Sequence, residues 1–204
     1  WPQCGRDTLT GRQGYDRLYG DARSMSGSAR GGVDRIYGGY DNDSLFGDAG
    51  KMLNYARGGN DWLDGQDDRD TLVGDAVEML DWTQGGSDIL LGGGGNDTAY
   101  GDANDMYGQS IGGSDTIYGE TGDDELYGDG YRMFDNSIGG DDLIVGGSGE
   151  DLVVGDGHYM RHHSRGGSDT VYGGDENDYV IGDGYEMRGS SKGGSDQVHG
   201  GAGE

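Results

Sequence analysis

The sequence predicts an all-β fold, a parallel β-solenoid that advances one coil per 27-residue repeat, about seven and a half coils in all. Three observations carry this reading. First, all seven methionines recur at one interval: Met25, Met52, Met79, Met106, Met133, Met160 and Met187. Second, three aspartate columns keep that interval without a miss. They are Asp7, Asp34, Asp61, Asp88, Asp115, Asp142, Asp169 and Asp196; Asp16, Asp43, Asp70, Asp97, Asp124, Asp151 and Asp178; and Asp21, Asp48, Asp75, Asp102, Asp129, Asp156 and Asp183. Third, each repeat holds two short strand signals whose middle residue is apolar. Leu9, Ile36, Leu63, Leu90, Ile117, Ile144, Val171 and Val198 form one such column; Leu18, Leu45, Leu72, Ala99, Leu126, Val153 and Val180 form the other. No insertion breaks the register from residue 4 to residue 204. The repeats are 4–30, 31–57, 58–84, 85–111, 112–138, 139–165, 166–192 and a partial 193–204, read as a single domain over 1–204.

Residues 166–192 justify the elements in order. Thr170 to Tyr172 is the first strand and Tyr179 to Ile181 the second, each β-branched or aromatic and bounded by Gly, Asp and Asn turns. Alternate strand residues face opposite ways, so the apolar middle columns are expected to point inward. Glycines at fixed turn positions, Gly173 and its equivalents, let backbone carbonyls approach one another or an ion. A small column follows the third aspartate (Ala22, Ala49, Ala76, Ala103, Gly130, Gly157, Gly184), where close packing excludes anything larger. The Met column, three residues later, is expected to fill the core, since no His or Cys column accompanies it. The tail after Met has fixed length and free composition and is expected to be an outward loop.

Composition bounds the partners. With 48 Gly, 31% hydrophobic residues and a net charge of −25, the chain resembles disordered sequence. Apolar residues at fixed spacing argue otherwise, and a solenoid needs less core because each repeat buries its face only against its neighbours. The acidity excludes nucleic acid and anionic membrane surfaces, which require a basic face, and favours cations. No apolar run approaches the roughly 18–20 residues of a membrane span. The chain opens at Trp1-Pro2-Gln3 and shows no capping repeat at either end, so a longer parent chain or copies stacked end to end are expected. Cys4, alone, stands where later repeats have Gly and allows no internal disulfide.

The aspartates imply calcium. Coils stack about 4.8 Å apart, so identical aspartates form rows of like charge that repel unless a cation intervenes or the acids protonate. Carboxylates with turn carbonyls make an oxygen-only ligand set, which suits Ca²⁺ better than Mg²⁺ and lacks the His and Cys that Zn²⁺ and copper prefer. Turn-forming Asp alone would tolerate Asn or Ser, yet none of the 22 positions departs from Asp.

Gly92-Gly93-Gly94-Gly95-Asn96-Asp97-Thr98-Ala99-Tyr100 and Gly146-Gly147-Ser148-Gly149-Glu150-Asp151-Leu152-Val153-Val154 resemble the RTX, or hemolysin-type, calcium-binding nonapeptide G-G-x-G-x-D-x-U-x. The resemblance implies a parallel β-roll with calcium held between turns by motif aspartates and turn carbonyls. It also implies a chain unfolded where calcium is scarce, and type I secretion to the cell exterior. The pattern departs at Asp41, Asp68 and Glu176, which replace the fourth motif residue, and at the degenerate third unit, where Met187 stands for Asp. An 18-residue coil would stack unlike units; a 27-residue coil stacks like on like, and is expected.

The function expected is a calcium-rigidified extracellular structural repeat protein: a stalk, adhesin, matrix or filament segment. The alternative is the calcium-binding export region of a secreted toxin or enzyme whose activity lies outside this chain. No catalytic site is expected, because His158, His162, His163 and His199 have no fixed Ser, Cys or Glu beside them.

Overall fold

The computed structural model describes residues 4–203; the extreme ends of the expected 1–204 domain lie outside the described residues. No described residue is helical. The strands form three parallel sheets, one per side of the coil. The first has eight strands: Thr8–Gln13, Arg35–Tyr40, Trp62–Asp67, Ile89–Gly94, Thr116–Thr121, Leu143–Ser148, Thr170–Asp175 and Gln197–Ala202. The second has seven, from Arg17–Tyr19 through Ser44–Phe46, Thr71–Val73, Thr98–Tyr100, Glu125–Tyr127 and Leu152–Val154 to Tyr179–Ile181. These match the two strand signals, the first running three residues further, through the turn glycine.

The third sheet has six strands, Ala49–Met52, Ala76–Met79, Ala103–Met106, Gly130–Met133, Gly157–His162 and Glu186–Gly189. Sequence reasoning did not find it. Residues such as Ala49-Gly50-Lys51-Met52 lack β-branched or aromatic character; they are extended because each coil is templated by the next. Pairing throughout joins residue i to i+27, as in Ile36↔Leu63, Leu45↔Leu72 and Met52↔Met79. The 27-residue coil is therefore the unit of stacking.

The tail differs from expectation too. It lies on the surface, but it is part of the ladder: the amide of Tyr55 donates to the carbonyl of Gly27 at 2.9 Å, and that of Arg57 to Ala29 at 3.0 Å. Alternate tail residues point inward, so Ala29, Ala56, Thr83, Ser110, Ser137 and Ser164 are buried. One tail position is left-handed in every coil, with φ between 62° and 76° at Gly27, Asn54, Asp81, Gly108, Asp135, His162 and Gly189. Gly, Asn and Asp tolerate that region best, a signal legible in hindsight.

Three apolar clusters result. Ile36, Leu45, Leu63, Leu72 and their equivalents meet between the first and second sheets. The Met column packs with Ala49, Ala56, Ala76 and Ala103 in a separate lobe behind the third sheet. Met52, Met79, Met106, Met133 and Met160 are wholly buried there, as core filler, each worth roughly 1.5–3 kcal/mol of burial. Phe46, Val73, Tyr100, Tyr127 and Val154 pack against Val77 and Tyr131 where the second and third sheets meet, with Tyr100 and Tyr127 stacked 5.3 Å apart.

Candidate metal centre

The three aspartate columns occupy two places in the coil. The Asp43 column lies at the turn joining the first and second sheets. The Asp48 and Asp61 columns face each other at the neck of the Met lobe. The chain enters that lobe at Gly47-Asp48 and returns at Gly58-Gly59, where the Gly59 amide donates to the Asp48 carboxylate at 3.0 Å. The same contact, eleven residues apart, closes the neck in the other repeats, as from Gly32 to Asp21 at 2.9 Å and from Gly140 to Asp129 at 2.7 Å.

In the other two columns one carboxylate oxygen is committed to the adjacent coil. The Asp34 amide donates to Asp61 Oδ1, the Asp61 amide to Asp88 Oδ1, and the Asp43 amide to Asp70 Oδ1, each at 2.7 Å. The second oxygen is left over. Oδ2 of Asp34, Asp61, Asp88, Asp115, Asp142 and Asp169 is buried without a hydrogen-bond partner. So is Oδ2 of Asp43, Asp70, Asp97, Asp124, Asp151 and Asp178, and one oxygen each of Asp21, Asp75, Asp102, Asp129 and Asp156.

These orphaned oxygens face other acceptors. A Cβ placed on Gly38 would stand 2.6 Å from the Gly65 carbonyl oxygen and 2.9 Å from Asp43 Oδ2. On Gly47 it would collide with the Gly74 carbonyl oxygen and Asp61 Oδ2, and on Gly58 with the carboxylates of Asp48 and Asp75. The glycines thus clear space that oxygens converge upon from both sides. Among the described residues no three acidic, His or Cys side chains gather at one point. At Gly38 and Gly47 the oxygen sets are mixed, a carboxylate with a turn carbonyl; at Gly58 two carboxylates meet.

Sixteen of the 22 column aspartates are buried; Asp7, Asp16, Asp21, Asp178, Asp183 and Asp196, in the outermost described coils, are less so. Burial in the first place, opposed by the amide each accepts, pushes the Asp61 carboxyl up to about 7 and Asp70 up to about 8. Asp48, Asp75, Asp115 and Asp129 rise well above the usual carboxylate range, again through burial first and then through repulsion from the facing column: Asp61 on Asp48, Asp88 on Asp75, Asp102 on Asp115, Asp142 on Asp129. A buried carboxylate without a counter-charge must protonate or find a cation. Orphaned oxygens with no sulfur or imidazole beside them fit a hard divalent cation such as Ca²⁺.

The motif departures are accommodated. Asp41, Asp68 and Glu176 adopt φ of 71°, 73° and 74°, and their carboxylates accept amides from Gly14, Asp41 and Gly149 one coil away. The histidines lie elsewhere. His158 is stacked between Tyr131 and Tyr185, His162 pairs with Asp135, and His199 stacks on Tyr172. Cys4 is free.

The family model of the RTX calcium-binding nonapeptide repeat (4 copies) matches the chain at residues 5–22, 28–51, 55–76, 82–105, 111–130, 139–157 and 163–184. No curated protein and no solved structure matches it significantly.

Proposed function

The chain belongs to the RTX calcium-binding repeat family, and on that premise we propose that it is an extracellular structural solenoid that folds and stiffens when calcium enters its aspartate rows. The observation that carries this is the row of buried carboxylate oxygens with no donor, set beside a glycine carbonyl in the Asp43 and Asp61 columns and beside a second carboxylate in the Asp48 column. Hydrogen bonding alone does not explain it. Asn at these positions would still accept the amide through its oxygen and would offer its NH₂ to the carbonyl. Asp at every position supplies charge in place of that donor.

The ligands would be the column aspartates, Asp7 to Asp196 in the first, Asp16 to Asp178 in the second and Asp21 to Asp183 in the third, with carbonyls of turn glycines such as Gly65 and Gly74. Bound calcium supplies the positive charge that lets successive coils approach. Without it, facing carboxylates repel and the coil-to-coil ladder is opposed at every step, so metal binding becomes folding free energy. A chain that stays open until it meets calcium suits export in an unfolded state. The role is mechanical, as a stalk, adhesin, matrix or filament segment, and not catalytic.

Far-UV circular dichroism across a calcium titration, starting from excess chelator, tests this. Expected is a coil spectrum that converts to β, with Mg²⁺ a poor substitute, and rods or fibres in electron micrographs of the calcium-loaded form. A full β spectrum in excess chelator at neutral pH would refute calcium-driven folding.

A further inference from the structure

The outward edge of the tail has an electrostatic character opposite to the rest of the protein. Its two outward columns, the positions of Trp82 and Gln84 in each repeat, contain no carboxylate in any of the seven repeats, although 39 of the 204 residues are acidic. Arg30 and Arg57 are register partners there, and so are Arg165 and Lys192. Like charges paired across parallel strands repel. Among the described residues none of these four side chains has an ion-pair partner.

Between the two cationic pairs lie aromatic and amide groups. Tyr55 and Trp82 stack at 5.5 Å with planes 13° apart, and the Trp82 indole N–H donates to Gln109 Oε1 at 2.9 Å, which fixes the ring. Beyond Trp82, on the coils that follow, opens a trough of about 560 Å³. Ile111 and Ile138, 43% and 39% exposed, lie along it; Gln109 and Asn136 offer amides, and His163 and Arg165 stand at its far end. Three coil steps separate Trp82 from Arg165, roughly 14 Å. A smaller niche lined by Ser28, Arg30, Tyr55 and Arg57 lies on the other side of the aromatic pair. The acids adjacent in sequence, Asp81 and Asp135, do not line the trough, and Asp135 is paired with His162.

We propose that this edge is a binding site for an acidic oligosaccharide. An indole face suits the C–H face of a pyranose ring, as an amphipathic aromatic surface at low entropic cost. Planar amides both donate and accept, which is what neighbouring sugar hydroxyls require. Arg165 and the Arg30–Arg57 pair supply forked donors for carboxylate or sulfate groups and are relieved of their mutual repulsion by them. The backbone beneath is held coil to coil, from Trp82 to Asn54 and from Gln84 to Ala56, so the groups are ordered before the ligand arrives. A flat anionic bilayer would leave the hydrogen-bonding capacity of the amides unused.

The test takes the calcium-saturated protein, its β spectrum verified first, so that failure to bind sugar is distinct from failure of calcium to fold the rod. 3′-Sialyllactose and a chondroitin sulfate tetrasaccharide are titrated by calorimetry, with lactose as the uncharged counterpart. Expected are binding of both acidic probes and affinity for lactose weaker by about tenfold or more. Trp82→Ala should weaken the acidic probes by about tenfold, Trp82→Phe should restore much of that, and Arg57→Gln with Arg165→Gln should erase the preference for acid. Binding of neither acidic probe, equal affinity for lactose, undiminished binding by Trp82→Ala, or binding to anionic phospholipid vesicles in place of the sugars would overturn it.

Discussion

The backbone amide of Asp61 donates to Oδ1 of Asp88, one coil on, at 2.7 Å, while Oδ2 of Asp88 is buried with no donor at all. One oxygen joins the coils and the other is reserved. The division recurs along the buried members of two columns, and each of those aspartates therefore has a structural half and a charged half.

Asp88→Asn separates the two halves. It keeps an oxygen for the Asp61 amide and removes only the charge. The calcium concentration at the folding midpoint should rise by about tenfold, near 1.4 kcal/mol. Asp7→Asn, at an exposed position of the same column, should move it far less. A calcium titration of the two variants by circular dichroism checks this; equal midpoints would remove the charge from the explanation.

The pH dependence has a definite sign. Folded-state carboxyls such as Asp61 and Asp124, raised by burial from 3.8 to about 7, and Asp70 and Asp156, raised to about 8, bind protons that the unfolded chain has lost. In chelator their contribution is therefore fully present below about pH 4 and is lost as the pH climbs through about 7 to 8. With calcium the direction reverses, because the ligands must be deprotonated. Acidification should lift the metal-free β signal and raise the calcium midpoint. Titrations at pH 5 and pH 7.5 measure both, and a midpoint independent of pH would contradict the assignment.

Gly74→Ala places a methyl group into the Gly101 carbonyl oxygen and Asp88 Oδ2. The cost is about 1–3 kcal/mol in the calcium-loaded protein, read as a lowered unfolding midpoint. Gly5→Ala meets nothing within 4 Å and should stay within about 0.5 kcal/mol.

Met106→Ala empties a wholly buried site and should cost about 2–5 kcal/mol. Met187, in the same column but 37% exposed, should lose well under half of that. Thermal unfolding in calcium compares them; equal losses would mean that the Met lobe is not a packed core.

Much of this was legible because a solenoid repeats its instructions. The Leu45 and Ile36 columns declared their inward faces by hydrophobicity, and the Met52 column its filler role by the absence of His and Cys. The third strand was not legible, since Ala49-Gly50-Lys51-Met52 carries no local preference that distinguishes it from a loop. The tail looked free in composition because only its buried small column and its left-handed position are constrained.

The sequence by itself determined the 27-residue period, the inward apolar columns and the aspartates that never vary, because each is a property of identical residues at identical spacing. Tertiary structure alone decided that Asp48 faces Asp61 across the neck of a lobe, which oxygen of each aspartate remains free, and that the tail's cations gather on one edge. Those relations join positions 11 or 13 residues apart within a coil to neighbours 27 away, and only the path of the folded backbone brings such distances together.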